Sequence, residues 1–124
     1  MTATPSKEVL SDKDMHKFAQ IGMQQRVKEW CVDLMRVLDA DFERQYGLTR
    51  LQQKGRFIME TGRKYHRIIF EKGVHAFVDK NTGQVYKPAS WKGPAKHVRY
   101  DLRIIREREA CYNNADWAGG YLYK

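Results

Sequence analysis

Between Tyr86 and Tyr100 the chain interleaves rings with cations: Tyr86, Lys87, Trp91, Lys92, Lys96, His97, Arg99 and Tyr100. Aromatic faces stack on bases, and ammonium or guanidinium groups follow phosphates, so this mixture suits contact with a nucleic acid. Arg63, Lys64 and Arg67 extend the positive set onto neighbouring strands. The expected contact set is therefore Arg63, Lys64, Arg67, Lys87, Trp91, Lys92, Lys96 and Arg99. The competing reading makes Tyr86 and Trp91 core residues and leaves the lysines merely solvated. Pro88 and Pro94 stiffen the Trp91 segment, which lowers the entropy lost when a partner orders it.

Other residue types offer less. His16, His66, His75 and His97 show no ligand spacing and no adjoining cysteine or carboxylate cluster, so neither a metal nor another cofactor is expected. The sequence holds no nucleophile elbow, P-loop or dinucleotide fingerprint. Glu71 or Asp79 beside a histidine is the residual route to acid–base chemistry, and no spacing singles them out. The expectation is a protein that is not an enzyme. Cys31 and Cys111 lie far apart without a CxxC pair and read as buried or idle thiols, compatible with a reducing cytoplasm.

Charge is concentrated where the rings are. Residues 1–49 carry seven Lys/Arg against eight Asp/Glu, residues 50–106 fourteen against four, and residues 107–124 two against three, for a net charge of +8. Such a centre attracts polyanions in a salt-sensitive way. The 124 residues suit a single domain, and 42% hydrophobic content is enough to drive folding. No basic start precedes an apolar run and no apolar stretch approaches membrane length, so neither secretion nor a membrane span is expected.

The elements that must position these groups follow from periodicity. Residues 1–10 are polar and read as a flexible N-terminus. Residues 11–47 read as helical: Ser11 is a cap followed by acids in the first turn, Met15, Phe18 and Ile21 begin an apolar stripe, and Gly22 is a place to kink or break. Val27, Trp30, Cys31, Leu34, Leu38 and Phe42 continue at steps of three and four to about Tyr46, where Gly47 ends the helix.

Residues 55–88 read as an antiparallel meander with strands at 56–60, 63–71, 74–79 and 84–87, turning at Gly62, Gly73 and Gly83. Counting pairs outward from the turns puts Ile68, Phe77 and Tyr86 in one row, with Phe70 opposite His75 on that face. Tyr65, Ile69, Val74, Ala76, Val78 and Val85 take the other. Both faces are apolar, so two layers of helix or a partner should cover them, and a one-residue shift at Gly73 would exchange the faces of the second strand. Pro88 ends the meander. Residues 89–124 read as a basic loop, a short helix to about Tyr112, and a tail that either stays flexible or packs Trp117 and Tyr121 onto the body. The fold class is α+β, a helical N-terminal half packed on a three- to four-stranded antiparallel meander with a short C-terminal helix.

The words GRKYHRI (62–68), VHAFVDKNTGQVYKPASWK (74–92) and PAKHVR (94–99) resemble a segment of small uncharacterised tailed-bacteriophage proteins. The resemblance spans residues 62–99 and implies a phage-encoded protein acting in the host bacterial cytoplasm or carried in a virion. It transfers no catalytic residue. The expected function is non-enzymatic binding of DNA or RNA, mainly through phosphates. The alternative is a module that binds a host factor, a virion subunit or another copy of itself, docking through the Val27–Phe42 helix or the second sheet face.

Overall fold

A computed structural model describes residues 12–124. The polar segment 1–10 and the Ser11 cap lie outside the described residues. Helix α1 (Asp12–Tyr46) is followed by α2 (Leu48–Lys54), strands β1 (Ile58–Thr61), β2 (Tyr65–Phe70), β3 (Gly73–Asp79), β4 (Gln84–Tyr86) and β5 (Tyr100–Asp101), then α3 (Ile105–Asn114) and a 3-10 turn at Gly120–Leu122. The sheet is antiparallel throughout and its order is the chain order, β1 to β5. The architecture is the expected α+β one, with a two-residue fifth strand added beyond Pro88.

Helix α1 carries Asp12 and Asp14 in its first turn and ends before Gly47, whose N–H donates to the Glu43 carbonyl (2.7 Å). It runs through Gly22 without the break that the sequence offered there; an exposed interior glycine costs only about 1 kcal/mol, less than a 35-residue helix recovers by packing. Val27, Cys31, Leu34, Leu38 and Phe42 are buried, and the first four pack on Ile68, Ala76, Val78 and Val85 of the sheet. Each such side chain contributes roughly 1.5–3 kcal/mol by leaving water. The Val27–Phe42 face is therefore core and is not free to dock a partner. Helix α2 was not expected: seven residues with only Leu51 buried carry too little periodicity to show.

The β3–β4 turn is built as its residues suggest. Asp79 Oδ1 accepts from the backbone N–H of Asn81 (2.8 Å) and Thr82 (3.2 Å), and Gly83 takes φ +77° while donating to the Asp79 carbonyl (2.8 Å). A Cβ on Gly83 would sit 3.4 Å from both Leu102 Cβ and the Trp30 ring.

The sheet register corrects the expected faces. His66 pairs with Val78, Arg67 with Phe77 and Ile68 with Ala76, but Ile69 pairs with Val74, so β3 carries one extra residue, His75, as a bulge. The side facing α1 holds His66, Ile68, Ala76, Val78 and Val85, while Tyr65, Arg67, Ile69, Phe77 and Tyr86 form the outer face. Ile68 does not share a row with Phe77 and Tyr86. The first strand begins at Ile58, and Gly62–Lys64 form the β1–β2 turn, closed by Gly62 N–H to the Tyr65 carbonyl (2.9 Å).

The tail packs onto the body. Asp41 of α1, buried, accepts the Trp117 backbone N–H (2.9 Å), the Tyr112 hydroxyl donates to the Trp30 carbonyl (2.8 Å), and the Tyr100 hydroxyl donates to the Tyr121 carbonyl (3.1 Å). Trp117 stands edge-on to Phe42 (5.3 Å), which also meets Phe70 (5.2 Å). These contacts fix one wall of the site described next.

Candidate nucleic-acid interface

Pairing β4 with β5 forces residues 87–99 to leave the sheet and return. They do so as a closed loop: Pro88 bridges Pro94, Ala95 N–H donates to the Lys87 carbonyl (2.8 Å), and the Ala89 and Ser90 N–H groups donate to the Gly93 carbonyl (3.0 and 3.2 Å). The loop lies over the outer sheet face, where Arg67 Nε donates to the Trp91 carbonyl (2.9 Å) and the guanidinium sits 5.5 Å from the Phe77 ring and 5.8 Å from the Trp91 ring. Phe77 is sealed at 1% exposure, whereas Trp91 is 47% exposed. The loop thus covers much of the second apolar face and presents one ring to solvent.

The eight expected contact residues divide. Arg67 and Trp91 meet on the outer face, and Lys64, with its Nζ 5.3 Å from the Tyr65 ring, lies at the far end of β2 beside exposed Arg63. Lys87 follows inward-facing Val85 and outward-facing Tyr86 in alternation, so it points to the tail side, with its Nζ 4.3 Å from the Tyr123 ring. Arg99 is engaged: Nη1 donates to the Lys124 carbonyl (3.0 Å), Nη2 to the Lys96 carbonyl (3.1 Å), and Nε is buried without a partner. Lys92 and Lys96 are exposed on the loop. One flat patch of eight groups is therefore not formed.

What joins the two sides is the tip of the β2–β3 hairpin. A cleft of about 450 Å³ runs between Phe70, Lys87, Trp117 and Tyr123 with His75 in its lining; a second, of about 710 Å³, passes Lys54, Glu71 and Lys72; a third, of about 340 Å³, leads from Lys72 past Pro88 to Trp91. All three share Gly73. Together they make a groove around the hairpin tip with exposed rings at its ends, Trp91 on one side and Tyr123, 69% exposed, on the other. Lys54 lies 3.3 Å from Glu71, an exposed pair, while Lys72 and Lys87 have no ion-pair partner among the described residues. The chain belongs to the family of unknown function DUF7717. The match spans residues 10–124, from α1 to the tail, so it takes in the whole groove. No curated protein and no solved structure matches the chain.

Other candidate groups have structural employment. Asp79 is spent on the β3–β4 turn, and Glu71, at φ 57°, forms the hairpin tip with Lys54. His66 is buried, its Nδ1 is 2.8 Å from Thr61 Oγ1, and burial, then Lys28 and Lys80, lower its pKa. Cys31 and Cys111 are free and buried, and burial pushes both thiols up to about 12, far from reactive thiolates. Among the described residues no group of three or more His, Cys, Asp or Glu is placed to hold a metal ion, and no helix is long and apolar enough to cross a membrane.

Sequence reasoning left Lys72 and Tyr123 out of the contact set and gave Trp117 only as a tail ring that could pack onto the body. Lys72 had a signal, since it occupies the exposed turn before Gly73. Tyr123 had none before the tail's return to α1 was known.

Proposed function

We propose that the chain binds single-stranded nucleic acid without catalysing its chemistry, by wrapping a strand around the β2–β3 hairpin tip. Bases stack on Trp91 and on the Trp117–Tyr123 wall, while Lys72, Lys87, Lys92 and Arg67 meet the phosphates. The observation that carries this reading is that three neighbouring clefts share Gly73 in their linings, with exposed rings in two of them and lysines in all three. Lys96 on the loop and, at the far end of β2, Arg63 and Lys64 add long-range attraction. The resemblance of residues 62–99 to phage proteins supports a place in an infected bacterial cytoplasm or a virion. Fluorescence anisotropy with a labelled oligonucleotide of about 12 nucleotides tests it, a length within the range of single-strand sites. Binding at low salt, weakened about tenfold or more by Trp91→Ala, is expected. No binding at low salt overturns the proposal.

A protein-docking role is favoured by one different feature. Met15, Phe18 and Ile21 on α1 are each more than half exposed, on the helix end where Gln20 and Gln24 donate to Asn81 of the β3–β4 turn. Pull-down from bacterial lysate after nuclease treatment separates the readings. A stoichiometric protein partner lost on Phe18→Lys supports docking.

A further inference from the structure

The cleft beside His75 has a polar group aimed into it. His75 Nε2 is 2.8 Å from the Tyr121 hydroxyl, and the Tyr121 side chain is buried with no other partner for that hydroxyl among the described residues. A phenol proton needs an acceptor, and Nε2 is the one within reach, so Tyr121 donates and Nε2 accepts. The proton of the neutral imidazole then sits on Nδ1. Burial holds His75 down to about 4, against Asp116, so the ring is uncharged at neutral pH. Nδ1 has no hydrogen-bond partner among the described residues, and the Nδ1–Cε1 edge faces Gly119, where a Cβ would lie 3.9 and 3.7 Å from the two atoms. Gly119 lines the same cleft and has φ +87°, a backbone that favours glycine. The missing side chain leaves an N–H donor open to a space whose walls are Phe70, Trp117 and Tyr123 and whose rim carries Lys87.

We propose that this cleft is a pocket for one unstacked nucleotide, its base laid against the rings with an acceptor atom facing His75 Nδ1–H and its phosphate at Lys87. The identity of the ligand rests on the nucleic-acid reading above; the pocket and its donor do not. A volume of about 450 Å³ is within the range of small-ligand clefts. Every base offers such a donor a ring-nitrogen or carbonyl acceptor, so His75 Nδ1–H orients the base without choosing among bases. Lys87 adds the charge that distinguishes a nucleotide from a nucleoside.

The test is an NMR titration of the intact chain with uridine 5′-monophosphate, adenosine 5′-monophosphate and uridine, following the His75 imidazole nitrogens and the Trp117 indole. Uridine and adenosine monophosphates are each expected to shift both at millimolar concentration, with uridine at least about fivefold weaker. Lys87→Met should bring uridine monophosphate down to the affinity of uridine. An unprotonated Nδ1 in the free protein, or no shift at either residue up to about 10 mM, overturns the pocket. Oligonucleotide binding that leaves both signals unmoved overturns the pocket while sparing the groove; mononucleotide binding without oligonucleotide binding does the reverse.

Discussion

Asp41 ties the tail to α1, and removing its carboxylate should detach one wall of the groove. It accepts the Trp117 backbone N–H at 2.9 Å, Gln45 Nε2 at 3.1 Å and Arg44 Nη2 at 3.0 Å. A hydrogen bond to a charged group contributes about 1.5–3 kcal/mol. Arg44 is 69% exposed, so its pair adds less than about 1 kcal/mol. Asp41→Ala should therefore cost about 3 kcal/mol, of which the orphaned Trp117 N–H is the largest part. For a domain of this size that lowers Tm by roughly 9–18 °C. Asp41→Asn keeps an acceptor oxygen and should lose about half as much. Thermal unfolding followed by circular dichroism reads the stability, and tryptophan emission below the transition reads release of the wall.

The effect also has a pH signature. Burial works to raise the Asp41 carboxyl, but the Trp117 amide, Gln45 and Arg44 outweigh it and hold it below the ordinary value. The contribution is then full above about pH 4, where the unfolded carboxyl is ionised, and fades as pH falls through the lower folded value. In strong acid the gap between wild type and Asp41→Ala should narrow to about half, because the protonated carboxyl keeps a carbonyl acceptor as Asn does. A Tm change under about 2 °C at neutral pH, or one that persists undiminished in acid, refutes the anchoring argument.

Three or four phosphate contacts in the groove give a salt slope of about −2 to −3, so affinity for a single strand should drop roughly 20–50-fold between 50 and 200 mM salt; neutralising Lys72 and Lys87 together should flatten the slope by about 1.4, read by anisotropy titrations. Gly83→Ala should destabilise by about 1–3 kcal/mol in denaturant unfolding, because φ +77° strains any Cβ there and Leu102 and the Trp30 ring stand at 3.4 Å. His75 stays neutral in the fold while the unfolded chain takes up a proton near pH 6.5, so stability should decline as pH falls from there toward about 4, by at most about 3 kcal/mol. His75→Phe should flatten part of that decline in a Tm-versus-pH series, with His66, also lowered by burial, accounting for a remainder.

The long helix and the Asp79–Gly83 turn were legible because each is specified locally. The buried stripe from Val27 to Phe42 repeats over four turns, and the turn needs only an aspartate that caps its own backbone and a glycine at positive φ. The register was not, since Val74, Ala76, Phe77 and Val78 are apolar on both faces and nothing in that run marks His75 as the inserted residue. The bulge becomes necessary only when His75 must reach Tyr121, 46 positions later in the chain. Strand β5 has two residues, too few for any alternation to show; what fixes it is the loop closure by Arg99 N–H on the Val85 carbonyl (2.7 Å) and the capping of Gly83 by Leu102 N–H (3.0 Å).

The division of the cationic cluster has an elementary cause. Neighbours on a strand point to opposite faces, so Tyr86 and Lys87 cannot serve the same side of a sheet, however close they stand in sequence. Tyr86 joins Tyr65 on the outer face, with ring centroids 6.0 Å apart, and Lys87 joins Tyr123 on the tail side. A contact set that includes both must then be reached around an edge or an end of the sheet. Here the end is available: Lys87 directly follows the last residue of β4, Phe77 pairs with Tyr86, and β3 begins at Gly73, so the rings and cations of both faces crowd toward the hairpin tip. Gly73 places no side chain across that passage, and Lys72 beside it supplies the charge at the crossing. Alternation along the strand thus dictates that a strand reaching the rings and cations of both faces would have to bend around the tip instead of lying flat on one face.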